Sequence, residues 1–200
     1  MRLVLASASP ARRALLRAAG IEADAVVSGV DESIVTSEVP EDLCLTLARL
    51  KATAVAEQLP TPETPRLVLG CDSVLAFDGQ VLGKPADAEE ATDRWLKMRG
   101  RSGVLHTGHH LVDVGTGRRR EATASTTVHF ADLSDDEIAA YVRSGEPLHV
   151  AGAFTIDGLG GPFIERIEGD HGNVVGLSLP LLRHLLADLG IAVTDLWESP

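Results

Sequence analysis

An α/β fold, with a mixed sheet flanked by helices, is what this sequence predicts, and three observations carry the prediction. Short apolar runs, as at residues 2–6 and 67–71, alternate with stretches whose apolar residues recur at helical spacing, as at Leu43, Leu47, Leu50, Ala54 and Val55. Turn signals separate them, above all Asp78-Gly79 and Gly115-Thr116-Gly117. The segments either side of the second turn read as an antiparallel hairpin, which makes the sheet mixed rather than wholly parallel. The chain has 200 residues, 44% of them apolar, enough for one substantial core. Residues 1–200 therefore read as a single domain, with two lobes around a central cleft.

The elements follow in order. Residues 2–6 form a short buried strand. Ser9 is a good N-cap and Pro10 suits the first helical position, so a helix starts there and covers residues 11–16. A second strand is expected at 25–28 and a helix over 40–59, broken by the proline-rich run 60–65. Residues 67–71 read as a central strand ending at Asp72-Ser73, continued by 74–77 into the Asp78-Gly79 turn. Gly83-Lys84-Pro85 is a loop and residues 87–98 the next helix. The hairpin uses 104–114 and 118–130, with Thr123, Ser125, Thr127 and His129 on one polar face. Ser134 caps a helix through Val142, and Glu137 completes a capping box. A strand at 163–167, a last helix over 180–189 stopped by Gly190, and a final strand at 191–193 complete the chain.

Composition excludes several classes. The formal net charge of −11 argues against binding a nucleic-acid polymer by a basic face. No run of about 18 apolar residues exists, so no membrane span is indicated. The N-terminus lacks the pattern of a signal peptide, and a cytoplasmic location is expected. Cys44 and Cys71 show neither zinc spacing nor a disulfide framework and read as buried, inert thiols. The seven histidines form no zinc pattern. His109 and His110 point to opposite faces of a strand, and most of the histidines read as surface or core-edge groups. Trp95 and Trp197 read as packing residues.

Against this acidic background, one cationic spot stands out. At the tip of the first strand, free helix N–H groups meet the hydroxyls of Ser7 and Ser9 and the guanidinium groups of Arg12 and Arg13, which is how proteins hold phosphate. The two arginines point about 100° apart on a helix, so one faces a ligand while the other braces the cleft or pairs with an acid. The same residues also fit an ordinary strand-to-helix turn with exposed arginines. Asp72, after an apolar strand, is placed to hold a divalent ion or take a proton from water, or simply to cap a turn. A carboxylate of Asp31-Glu32 could approach Asp72 and complete a carboxylate pair for Mg²⁺, or the two could lie in a solvated acidic loop. Lys51, on an apolar-faced helix, and Lys84, between glycine and proline, could each neutralise phosphate. Spacing alone leaves each of these alternatives open.

Taken together, the segments resemble the Maf family, the septum formation inhibitor Maf-like proteins. Leu5-Ala6-Ser7-Ala8-Ser9-Pro10-Ala11-Arg12-Arg13 is similar to the family's opening signature, and Asp31-Glu32 to its acidic segment. Cys71-Asp72-Ser73-Val74 resembles its Asp-Thr-Val element, with serine in place of threonine, and Gly83-Lys84-Pro85 matches directly. Gly100-Arg101, Thr107-Gly108, Ser144-Gly145-Glu146-Pro147, Ala151-Gly152-Ala153-Phe154, Ile167-Glu168-Gly169-Asp170 and Asn173-Val174-Val175-Gly176-Leu177 extend the likeness over nearly the whole chain. The resemblance implies a fold similar to that of inosine triphosphate pyrophosphatases. It also implies hydrolysis of nucleoside triphosphates to the monophosphate and pyrophosphate, with a divalent cation, Mg²⁺ or Mn²⁺, in a homodimer. It implies Asp72 as proton acceptor, Glu32 and Asp72 as metal ligands, and Ser7, Arg12, Arg13, Lys51 and Lys84 around the triphosphate.

At the base end the likeness is incomplete. Arg101 resembles the arginine of the subgroup acting on dTTP and UTP, but Asp157 stands where that subgroup has glutamine. An ionised aspartate only accepts hydrogen bonds, whereas glutamine also donates them. The chain also departs from the subgroup preferring 7-methyl-GTP, so the base stays open and removal of non-canonical nucleotides is a further implication. A non-enzymatic regulator of cell division that binds nucleotide is the alternative. Its cleft would need phosphate ligands but no working Asp72, whereas Asp72, Glu32 and both lysines are all present here.

Overall fold

The computed structural model describes residues 1–60 and 65–197. The interior of the proline-rich run, 61–64, lies outside them. Seven strands form one mixed sheet: β1 (Arg2–Leu5), β2 (Ala23–Ala25), β3 (Arg66–Phe77), β4 (Gln80–Leu82), β5 (Ser102–Asp113), β6 (Arg119–Phe130) and β7 (Ile164–Glu168). The order is β2-β1-β3-β5-β6-β7, with β4 paired to the far end of β3. The first three are parallel, and β3, β5, β6 and β7 are mutually antiparallel. The expected α/β class and the hairpin of β5 and β6 are both present. The carboxylate of Asp113 shapes that hairpin turn by accepting from the N–H groups of Gly115 and Thr116.

Among the described residues six α-helices flank the sheet: α1 (Pro10–Ala18), α2 (Pro40–Gln58), α3 (Ala88–Met98), α4 (Asp135–Arg143), α5 (His171–Val175) and α6 (Leu179–Ala187). Ser9 caps α1 with Pro10 at its start, and Ser134 with Glu137 forms the expected capping box of α4. The short helix α5 had no clear periodic signal. Asp170 starts it by accepting from Gly172 N–H.

On one sheet face lie two cores. Leu3, Leu5, Leu67, Leu69 and Cys71 pack with Leu16, Leu182 and Leu186. Further along the same strands, Leu75, Phe77, Leu105 and Val128 pack with Trp95, Met98 and Tyr141. Trp95 is wholly buried, donates Nε1–H to the carbonyl of Ala153 at 2.8 Å, and meets Phe130 and Tyr141 edge-on. Strand β3 passes from one core to the other, and Asp72 and Ser73 lie at the crossing. On the opposite face, α2 lies directly on the sheet. Its approach requires two residues without side chains. A Cβ at Gly70 would stand 2.1 Å from the carbonyl oxygen of Ala48, and one at Gly108 would stand 2.4 Å from that of Cys44.

The structure corrects several expectations. Asp72 does not follow a strand but sits inside the twelve-residue β3, opposite Gly108 of β5. Its parallel neighbour β1 stops opposite Leu69, so Asp72 lies just past the end of that neighbour instead. The second strand is Ala23–Ala25 rather than 25–28: the pairing ends at Leu5, whose carbonyl accepts from Val26 N–H and from Ser7 N–H, where β1 turns away. Residues 191–193 form no strand: a 3₁₀ turn, Val193–Leu196, stands there, with Ile191 in the core. Trp197 is 54% exposed rather than a core residue, with its ring beside Gly20.

Three histidines also lie deeper than expected: His106, His109 and His110 are 5%, 0% and 2% exposed. His109 is bonded at both ring nitrogens: Nδ1 lies 3.0 Å from the carbonyl of Thr107, and Nε2 accepts from Ser178 N–H at 2.9 Å. This fixes the neutral tautomer with the proton on Nδ1. Burial pushes its pKa down from 6.5 to about 4. Below pH 6.5 the unfolded chain takes up a proton that the native chain refuses. The stability that neutral His109 provides is therefore complete above that pH and is lost as the pH falls toward about 4. The loss is on the order of 3 kcal/mol across the window. Burial lowers the pKa values of His106 and His110 as well, which adds in the same direction. Urea denaturation midpoints should fall through this window, and a flat profile would contradict the assignment.

Candidate active site

The close approach of α2 brings Lys51, 8% exposed on that helix, over Asp72, also 8% exposed on β3. Lys51 Nζ donates to Asp72 Oδ1 at 2.5 Å and lies 2.8 Å from Glu32 Oε1. Glu32 stands on a 3₁₀ turn, Glu32–Ile34, between β2 and α2. Asp31 is occupied locally, accepting from Ser33 N–H. Two carboxylates from distant segments thus converge on one ammonium, and the acidic segment meets Asp72 through Lys51 rather than directly. Burial pushes the Asp72 carboxyl above its ordinary range, against the pull of Lys51. A carboxylate so shifted is a stronger base toward water.

Arg12 reaches the same crossing from α1. Its Nη1 donates to Ser7 Oγ at 3.2 Å and to the carbonyl of Cys71 at 2.9 Å. Its Nη2 donates to Ser73 Oγ at 3.1 Å, and its Nε to the carbonyl of Gly176 at 2.7 Å. The Cys71 carbonyl lies where β1 has already ended, so the guanidinium takes the place of the missing strand. Ser73 Oγ continues through Thr107 Oγ1 to the carbonyl of Asn173, tying β3, β5 and α5 together. Arg12 is therefore the brace. Arg13, next to it, is exposed, and among the described residues its side chain makes no hydrogen bond. Ser7 Oγ is held by Arg12 and accepts from Ser9 N–H.

The remaining candidates lie further along the sheet. Lys84 is exposed, in the loop after β4, and Gly83 beside it accepts from Gly152 N–H at 3.0 Å. Across from β4, the segment that carries Glu32 runs on to Ser37 and Glu38. Together with Gly79, Gln80 and Val81 these line a recess of about 630 Å³. Arg101 lies 4.7 Å above the Phe77 ring and pairs with Asp78 at 2.9 Å, bracing the hairpin tip. Asp157 is exposed, in a loop that nothing in the local sequence marks as organised.

Glu146 organises that loop: its carboxylate accepts from Tyr141 Oη at 3.1 Å, Thr155 Oγ1 at 2.5 Å, and the N–H groups of Leu159 and Gly160 at 3.0 and 3.1 Å. A Cβ at Gly158 would stand 2.6 Å from the same carboxylate. In the sequence Glu146 stands out only within the Ser144-Gly145-Glu146-Pro147 motif, because its partners lie 5 to 14 residues away.

Among the described residues, no group of three or more His, Cys, Asp and Glu side chains stands close enough to hold a metal ion. The pair Asp72 and Glu32 nevertheless suits a hard cation. Mg²⁺ binds through one or two carboxylates, and substrate phosphates and waters supply the rest. Both carboxylates already attend a cation, the ammonium of Lys51. Among the described residues no helix is long and apolar enough to cross a membrane.

The chain is also similar to known proteins. A family profile described as Maf-like protein matches residues 2–189. The chain is 70% identical over 199 residues to a nucleoside triphosphate pyrophosphatase of Salinispora tropica, covering 99% of this chain and 88% of that protein. It is 64% identical to a protein of the same name from Streptomyces coelicolor, covering 98% and 94%. A third, from Nostoc punctiforme, is 52% identical over 98% of this chain and 97% of its own length. The extent of the profile match and these identities establish that the chain belongs to the Maf-like family.

Proposed function

We propose that this protein hydrolyses nucleoside triphosphates to the monophosphate and pyrophosphate, with Mg²⁺ or Mn²⁺ as cofactor. The single observation that carries the reading is the Asp72–Lys51–Glu32 cluster at the crossing of the two cores. The names of the relatives support the same reaction. Asp72, raised in basicity by burial, takes the proton of the attacking water. A bound divalent ion, held by Asp72 and Glu32, neutralises charge on the phosphate oxygens. Ser7, Lys51, Arg13 and Lys84 bind the triphosphate and offset the charge that develops on the pyrophosphate leaving group. Arg12 keeps Ser7 and the edge of β3 in place. Asp157 and Arg101 face the base end in this reading, with Glu146 fixing the Asp157 loop. Location in the cytoplasm fits the two buried free thiols, and a homodimer fits the family resemblance.

A panel of canonical and modified nucleoside triphosphates, with pyrophosphate and orthophosphate resolved, tests the reading. Pyrophosphate should be the primary product and chelation should stop its release. Orthophosphate as the sole primary product would reject it, and no turnover of any member would favour the nucleotide-binding regulator.

The two arginines should separate cleanly. Arg12→Ala removes four hydrogen bonds, three of them to other segments of the chain, and should lower stability by about 2–4 kcal/mol together with turnover. Arg13→Ala should leave the melting temperature unchanged and raise KM. Equal melting temperatures for the two variants would contradict the division of labour.

A further inference from the structure

Lys51 poses a question that its phosphate-binding role does not answer. Its Nζ does not point to an open binding surface. It lies between Asp72 Oδ1 and Glu32 Oε1, the two oxygens that suit a divalent ion. Those oxygens are no further apart than the sum of 2.5 and 2.8 Å. Opposed oxygens around Mg²⁺ span about 4 Å, so one site serves both cations. An ammonium and a dication cannot share it, because each would repel the other at contact distance.

We propose that Lys51 is an internal counter-cation that holds the metal position in the free enzyme, and that the arriving divalent ion displaces it toward the triphosphate. The inference rests on the metal-dependent reading above and deepens it. The geometry suits an exchange. The two arms of the cluster differ: Asp72 is buried at 11% side-chain exposure, whereas Glu32 is 52% exposed on a short turn. The exposed arm is worth little as an ion pair and releases readily. The buried arm would leave a bare carboxylate if its partner simply departed, which is costly, so the ammonium leaves only as another cation arrives. Lys51 has a flexible four-carbon stem, so its Nζ can move without moving α2. Free enzyme thus keeps Asp72 paired, and the pairing is released only when a divalent ion arrives.

The test measures metal binding without turnover. Mn²⁺ is titrated into metal-free protein in alkaline buffer and the free ion is followed by electron paramagnetic resonance. Lys51→Met should bind Mn²⁺ about tenfold tighter than wild type, because the competing charge is gone. Lys51→Arg keeps that charge and should not tighten binding. Amine acylation of the wild type gives a second readout that needs no variant to fold. The chain has three lysines, and Lys84 and Lys97 are exposed internal references. Labelling of Lys51, located by mass spectrometry, should be low without metal and rise with Mn²⁺, while the references stay constant. Equal or weaker Mn²⁺ binding by a folded Lys51→Met, or Lys51 labelling that does not respond to Mn²⁺, overturns the proposal. Pyrophosphate release by the wild type is assayed separately. Release with an unresponsive Lys51 rejects the displacement and keeps the pyrophosphatase. Displacement without release of pyrophosphate from any triphosphate does the reverse.

Discussion

Replacing Asp72 by asparagine should cut kcat for pyrophosphate release by about 10²–10⁴-fold, the range typical of a general base, while KM moves only a few-fold. Asparagine matches the shape of aspartate and still offers an oxygen to Lys51 or to a divalent ion, so at saturating metal the ground-state site stays assembled. What it cannot do is accept the proton of the attacking water. The interaction lost is one made chiefly in the transition state, and such losses fall on kcat. The melting temperature separates this from unfolding. Asp72 is 8% exposed, but Lys51 keeps Glu32 as a partner in the variant, so no isolated charge is left buried. Near-normal turnover at unchanged metal concentration would remove Asp72 from the role.

Gly70→Ala should destabilise the protein by about 4 kcal/mol or more, an unusually large effect for one methyl group. The added Cβ would stand 2.1 Å from the backbone oxygen of Ala48 and 2.9 Å from the backbone nitrogen of Ala52. Neither is a flexible side-chain end, so relief requires α2 to lift from the sheet. Gly108→Ala meets the same helix 2.4 Å from the Cys44 carbonyl and should behave alike. Lifting α2 also withdraws Lys51 from Asp72, so any folded fraction should lose activity along with stability. Denaturant melts and pyrophosphate release measured on the same samples check both. A stability change under 1 kcal/mol, well below the ordinary overpacking cost of about 1–3 kcal/mol, would mean that helix and sheet are not in direct backbone contact.

Much of the frame is written locally. Ser9 with Pro10, Ser134 with Glu137, and the turn after Asp113 are each decided by residues within a few positions, and each forms as the sequence predicts. The hairpin of β5 and β6 follows from its turn and its alternating face. The opening motif was legible as a concentration of hydroxyls and guanidinium groups, but the separate roles of Arg12 and Arg13 were not. Arg12's carbonyl partners are 59 and 164 residues away, so nothing in its own segment indicates that it completes a sheet edge. The buried histidines were misplaced for a similar reason. His109 is satisfied by Ser178 N–H, 69 residues on, and without that partner an imidazole in an apolar strand reads as an edge residue.

By itself, then, the sequence determined the α/β class, most of the helices and strands, and the residue types from which a phosphate site can be made. Those depend on periodicity, capping and turn chemistry, which act over one or two turns of chain. The tertiary structure alone decided which of these residues meet. It extended β3 through Asp72 and ended β1 short of it. It laid α2 on Gly70 and Gly108, and so set one lysine between two carboxylates from separate segments. The physical reason is that a buried charge is tolerated only where a partner is held against it, and holding one there takes the packing of the whole sheet and helix.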